Sequence, residues 1–576
     1  MTTTIASTLA NYTIHETLII DTFFPYSTSL KPIVSVNYSF PGPLIEAYEG
    51  DTLVIRVINR LNVSSTIHWH GIHQNGTPGM DGSVGVSQCA IPPGDEMIYE
   101  FKAEPAGTSW YHGHFLQQHT DGLFGPLIIH PRINPSKQYY ESDRIFMLSD
   151  WYNNLSSELI PWFLNPNNPT GIEPTPDATV VNEKFTQSLF VPVLGAMRIR
   201  FRIINAAVIS MYTVSIDGLP LHIIELDNTE TLPYSVNSFS INVAQRVSFY
   251  IDLSELDPNY SVSGASPTNS LFIRFQAVLS MYTVDILNYI PPYEQARYPY
   301  PTFFTPLYLG ILSLDSTNST PVYPVGNSIP TLQNAVTPFD TNILAARPLD
   351  HNINGIPNAT HYLPVLITFA QDANGINRAY LNNVTFTSDA NYIPMTHEPT
   401  EGITSDTYAP LLHQMAMKPN QLGIPLPRIE PGSQLPIIQS DGNSHYLIPY
   451  EAVVDIYFNN TDAGDHPFHL HGFTFWIIAT SQYPEAEYLY RDNYIRRDVI
   501  TVPASGWAKI RFIANNPGAW FLHCHIDWHM TAGMLLALII SPEQLLSEGY
   551  TIPQDQKDLC HALQVFNTNN GTVNLQ

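Results

Sequence analysis

The chain has 576 residues, enough for several domains and a sizeable core, and 24 Lys+Arg against 50 Asp+Glu give it a formal net charge of −26. That balance excludes nucleic acid and anionic membrane as partners, because both are gripped through Lys/Arg-rich faces. With 44% hydrophobic residues, 13% charged residues and 48 prolines, the composition is that of a globular protein built from strands and loops.

The opening "MTTTIASTLANYTIHETLIID" (1–21) has neither a basic n-region nor an apolar h-region, so it is not a secretory signal. Asn-x-Ser/Thr acceptor sites recur from Asn11 to Asn570. The expectation is a secreted glycoprotein whose leader has already been removed. Alternating segments follow: "DTLVIRVINRL" (51–61), "MRIRFRIINA" (197–206), "RVSFYIDL" (246–253), "VVDIYFNN" (453–460) and "WAKIRFIAN" (507–515). Each ends near Asn, Gly, Pro or Asp and reads as an antiparallel strand of a sandwich. The run "GMLLALII" (533–540) reads as a buried strand, and no run is long enough for a membrane span.

One phrase recurs loosely, in "EGDTLVIRVINR" (49–60), "LGAMRIRFRIINAA" (194–207) and "YEAVVDIYFNNTD" (450–462). A turn leads into an alternating strand that runs to an Asn, and three such copies predict three related β-domains. Linker-like stretches at 128–143 and about 318–357 place them at 1–130, 131–340 and 341–576.

Four His-x-His pairs stand out among the 21 histidines: His68/His70, His112/His114, His469/His471 and His523/His525. On an extended strand residues i and i+2 share a face, so each pair aims two imidazoles at one place. Eight imidazoles suit a cluster of metal ions better than a single one. All four pairs fall within 68–114 and 469–525, so a joint site requires the first and last domains to meet, with the middle domain giving no ligand. The isolated His15, His222, His351 and His445 are read as ordinary histidines.

In "HCHIDWHM" (523–530) the thiol of Cys524 faces away from His523 and His525, and therefore belongs to a different metal site. His466, His529 and Met534 are its candidate companions. A thiolate with two imidazoles and a distant thioether is the ligand set of a blue-copper electron-transfer centre. The other cysteines, Cys89 and Cys560, come one from each end of the chain. A disulfide between them would staple the same contact; two unrelated thiols is the alternative.

With "HWHGIHQNGTPGMDGSVGVSQCAI" (68–91), "GTSWYHGHFLQQHTDGLFG" (107–125), "HPFHLHG" (466–472) and "HCHIDWHMTAGM" (523–534) in this order, the chain resembles three-domain multicopper oxidases, the superfamily of laccases, ascorbate oxidases and ferroxidases. The resemblance implies an all-β fold of three cupredoxin-like Greek-key β-sandwich domains and four copper ions, with a small-molecule reductant and O2 as partners; a monomer is expected. It implies a type 1 copper on His466, Cys524 and His529 with Met534 axial. It implies a type 2 copper on His68 and His469, and a type 3 pair on His70, His112, His114, His471, His523 and His525. It also implies a Cys89–Cys560 bridge. Asp81 and Asp527 match acidic residues beside the cluster, expected to donate protons or to orient histidines. Phe473 stands where His is commoner, at a position that is not a ligand.

The subtype is expected to be laccase-like, oxidising phenols or aromatic amines, with a ferroxidase or ascorbate oxidase-like enzyme as the alternative. The phenol-contacting Asp of basidiomycete-type laccases aligns with Ile209, so that contact is missing. An acidic residue of yeast-type ferroxidases aligns with Val191 or Pro192, while another aligns with Asp462. Asp462 and Asp465, beside His466, are the candidate substrate contacts or proton acceptors.

Overall fold

The computed structural model describes residues 10–24, 31–185, 189–257, 270–278, 307–314, 339–340, 355–386, 410–417, 422–484 and 494–570. The expected linker at about 318–357 and His351 lie almost wholly outside them. The described strands form six sheets, of four, four, seven, six, six and five strands, which pair into three cupredoxin-like sandwiches. Among the described residues helices are few, the longest being Gln554–Asn570.

The three recurrent strands occupy equivalent places. Thr52–Asn59, Arg198–Asn205 and Val453–Asn460 each pair antiparallel on one side, with Glu96–Lys102, Arg246–Asp252 and Trp507–Ile513. On the other side each pairs parallel, with Thr13–Phe23, Ser142–Trp151 and His361–Gln371. The sequence reading expected antiparallel pairing throughout. The parallel neighbour arises because the chain crosses to the opposite sheet before returning, which leaves room for a crossover connection.

The Asn that closes each strand is buried and makes the same three bonds. Asn59 Nδ2 donates to the Val63 and Ile91 carbonyls while its Oδ1 accepts the Leu61 amide. Asn205 does the same with Ser210, Ile241 and Ala207, and Asn460 with Gly464, Pro503 and Asp462. A buried loop amide or carbonyl without a partner is costly, and one carboxamide supplies two donors and an acceptor at a fixed place. The repeated Asn is therefore a strand-end clamp used three times.

The first and third sandwiches meet along the histidine pairs. Cys89 and Cys560 are joined by a disulfide across a sequence separation of 471. Leu559 and Leu563 of the C-terminal helix pack into the core of the first sandwich. Asn516 Nδ2 donates to the His73 carbonyl at 2.7 Å, across the same seam. Phe473 packs against Phe512 and Trp520, a structural use of that position. Among the described residues no helix is long and apolar enough to cross a membrane.

Candidate metal centres

Antiparallel pairing of Ile67–His70 with Gly107–Gly113 sets His68 opposite His112, and pairing of His466–Leu470 with Gly518–Cys524 sets His469 opposite His523. All eight paired histidines are buried. Across the seam His68 stacks on His471 with centroids 3.9 Å apart, and His70 stacks on His469 at 3.7 Å. Ring nitrogens of His68, His469 and His471 lie within 4.8 Å of one another, as do those of His68, His70 and His112, and of His114, His471 and His523. His525 lies against His112 and His70, with centroids at 5.0 and 5.2 Å.

The rings are aimed by their far nitrogens. Nδ1 of His68, His112, His469 and His523 donates to the carbonyls of Asp81, Gly113, Asp498 and Cys524, at 2.7–3.0 Å. His471 Nδ1 donates to the Asp81 carboxylate at 2.9 Å. A donating Nδ1 leaves a bare lone pair on Nε2, the form a metal requires. Nε2 of His68, His112, His114 and His469, Nδ1 of His70 and both nitrogens of His525 are buried with no hydrogen-bond partner in the protein. So many converging orphan lone pairs fit a metal cluster and would be costly without one. Burial first, and then the neighbouring imidazoles, hold His70, His469, His471 and His525 well below the usual histidine range. They are therefore neutral and available as ligands.

A second cluster lies on the other face of the same strand. Cys524 Sγ is 3.4 Å from His529 Nδ1 and 3.8 Å from His466 Nδ1, and those two nitrogens are 3.1 Å apart. Burial raises the Cys524 thiol, but His529 and His466 outweigh it and bring it down to about 7. Met534 is fully buried. Its carbonyl accepts the Cys524 amide at 3.1 Å and its amide donates to the His529 carbonyl at 3.0 Å, which ties it to both. The rings here are turned the other way, with Nδ1 toward the sulfur. The outward Nε2 of His529 meets Glu173 Oε1 at 2.9 Å, and that of His466 meets Asp462 Oδ2 at 3.3 Å.

Glu173 was not singled out in the sequence. It lies 356 residues before His529, in a proline-rich loop with no periodicity to read. Val191 is instead a buried core residue. Ile209 is also buried, and its amide donates to Asp150. Asp465 accepts the Ala504 amide, so Asp462 is the carboxylate that reaches His466 among the described contacts. Burial raises the Asp462 carboxyl, but its bond to His466 prevails and holds it at about 2. Asp81 touches His68 and His471 and accepts from Ser83. Asp527 meets His119 Nδ1 at 3.2 Å and Thr120 Oγ1 at 2.7 Å. His119, also missed, packs against His112 and His525, and its other nitrogen donates to the Ala206 carbonyl. His222 and His445 are paired elsewhere, with Ser235 and Glu255 and with Asp441.

Three family profiles, each described as "Multicopper oxidase", match the chain over residues 22–134, 142–291 and 406–544. The iron transport multicopper oxidase fetC of Epichloe festucae is 30% identical over 557 residues, 94% of this chain and 78% of that protein. Laccase-4 of Trametes villosa is 31% identical over 548 residues, 92% of this chain and 90% of that protein. The crystal structure of Fet3p, a multicopper oxidase that functions in iron import, aligns with a TM-score of 0.76 at 25% identity over 96% of this chain and 95% of that one. Two sets of buried imidazoles, one with a thiol and one without, have the composition of a type 1 and a trinuclear copper site, and the chain belongs to the multicopper oxidase family.

Proposed function

We propose that this oxidase takes Fe(II) as its reducing substrate, as a ferroxidase-type enzyme. One observation carries the reading: two partly exposed carboxylates stand against the two imidazoles beside the Cys524 sulfur, Glu173 hydrogen-bonded to His529 and Asp462 in ion-pair contact with His466. Anionic oxygens suit a small divalent cation, and each is in contact with a ring that leads to the sulfur. Asp462, held near 2, is anionic at any working pH. The iron-transport relatives and the acidic surface support the same order, which reverses the ranking expected from the sequence. Phenol oxidation remains the second reading, favoured by one feature. Phe369 lies 5.3 Å from the His529 ring and 5.9 Å from His466, an aromatic wall for a planar reductant.

In this proposal His466, Cys524, His529 and Met534 would hold the type 1 copper. His68 and His469 would hold the type 2 copper, and His70, His112, His114, His471, His523 and His525 would hold the type 3 pair. Bound copper supplies single-electron oxidation of the reductant and four-electron reduction of O2 to water. The chain supplies the rest. The Cys524–His523 peptide joins the two sites covalently, and His523 Nδ1 donating to the Cys524 carbonyl at 2.9 Å adds a shorter route. Asp81 fixes the His471 ring, and Asp527 holds His119 against the cluster. We further propose export, because a structural disulfide persists in an oxidising compartment.

The test is kcat/KM for Fe(II) and for a p-diphenol, measured side by side on the wild type, Glu173→Ala and Asp462→Ala. Fe(II) should be preferred. Each variant should lose about tenfold or more with Fe(II), roughly 1.4 kcal/mol, while diphenol oxidation stays within a few-fold. A wild type that prefers the diphenol, with variants that slow both substrates equally, would sink the iron reading.

A further inference from the structure

One histidine of the larger cluster is held in reverse. His68, His112, His469 and His523 each give Nδ1 to a backbone carbonyl. His70 instead turns Nε2 outward, 3.3 Å from Asp498 Oδ1, and its buried Nδ1 is the nitrogen without a partner. Which nitrogen faces the cluster is therefore set for His70 by a side chain. That carboxylate is fixed in turn. Arg246, fully buried, places Nη1 and Nη2 at 2.5 Å from the two oxygens of Asp498. Its Nε donates to the Thr108 carbonyl at 2.8 Å.

Asp498 also serves His469, whose Nδ1 donates to the Asp498 carbonyl at 2.9 Å. The two rings that stack across the seam thus hang on one residue, His70 by its side chain and His469 by its backbone. The neighbouring Arg497 is gripped the same way. Asp227 accepts its Nε and Nη2 at 2.9 and 2.8 Å, and also accepts the Asp498 amide at 3.2 Å. Asp227 and Arg246 belong to the second sandwich, which contributes no histidine to either cluster. Arg497 and Asp498 belong to the third, and His70 and Thr108 to the first. Two crossed, buried ion pairs lock the three sandwiches at a single point.

We propose that Asp498, clamped by Arg246, is the positioning residue that turns His70 to present Nδ1 to the type 3 pair, so that the second sandwich sets the geometry of a copper site to which it gives no ligand. A carboxylate that must hold an imidazole reversed needs both its oxygens fixed, and a guanidinium fork does this where an ammonium cannot. The inference rests on the copper assignment proposed above for His70, and not on which reductant is used.

The test uses the copper-loaded full chain as wild type, Asp498→Asn and Arg246→Lys. Three quantities are read: copper bound per chain, copper affinity by chelator competition, and the fraction of copper visible by EPR. A coupled type 3 pair is EPR-silent, so a misaligned His70 raises the visible fraction. Both variants should raise that fraction and lose about tenfold or more in affinity for part of the copper, while the type 1 absorption of Cys524 stays at the wild-type level. A clamp with only a structural role would lower Tm and leave the EPR fraction and affinity alone. Wild-type values of both in either folded variant would overturn the proposal, and should Asp498→Asn not fold, Arg246→Lys decides by the same outcomes. A wild type that binds too little copper for both clusters would overturn the ligand assignment itself, a different and separable failure.

Discussion

The sulfur of Cys524 is held between two imidazoles by a strand on one side and by the short helix Asp527–Thr531 on the other. Replacing it with a hydroxyl removes the soft ligand and leaves the volume nearly unchanged. Cys524→Ser should therefore abolish the strong visible absorption of a copper–thiolate centre and O2 uptake with any reductant, while copper held by the histidine cluster stays bound. A spectrum, a copper count and an oxygen electrode check this. At the same scale but outside the clusters, Glu230 titrates unusually. Burial above all, and then the negative Glu225, push its carboxyl up from 4.5 to about 7. The unfolded chain releases this proton near 4.5 and the folded one near 7. Stability should accordingly fall as pH rises through that window, and Glu230→Gln should flatten that limb and raise Tm above it. Thermal unfolding from pH 4 to 8 checks the sign.

At the scale of elements, the strand-end asparagines are the repeated device. Asn205 in the second sandwich can be tested without touching a histidine cluster. Asn205→Ala leaves the Ser210 and Ile241 carbonyls and the Ala207 amide without their partner. A buried polar group stripped of its partner costs about 1–3 kcal/mol. Urea unfolding should show a loss of at least that size, with copper spectra unchanged in the folded fraction. The repetition also shows which part of the fold was legible. "RVIN", "RIIN" and "YFNN" announce three equivalent strands because alternation is a local property of a half-buried strand. Their parallel neighbours were not announced, because pairing direction depends on where a long connection returns.

At the scale of the molecule, the first and third sandwiches close on each other. The Cys89–Cys560 bridge and the helix Gln554–Asn570 fasten the third sandwich to the first over the histidine clusters. Cys560→Ser should lower stability by about 2–4 kcal/mol and make the C-terminal helix the first site of limited proteolysis. Cleavage elsewhere first, with unaltered Tm, would contradict this. The sequence alone determined the fold class and the histidine pairs that line the clusters, since period-two spacing and the thiol between two imidazoles are written within a few residues. Only the tertiary structure decided what surrounds them. Glu173 on His529, His119 on Asp527 and Arg246 on Asp498 are contacts across 356, 408 and 252 residues. No local pattern encodes such a distance; the partners meet because three sandwiches pack at one seam, and the burial they share makes an unpaired charge there costly.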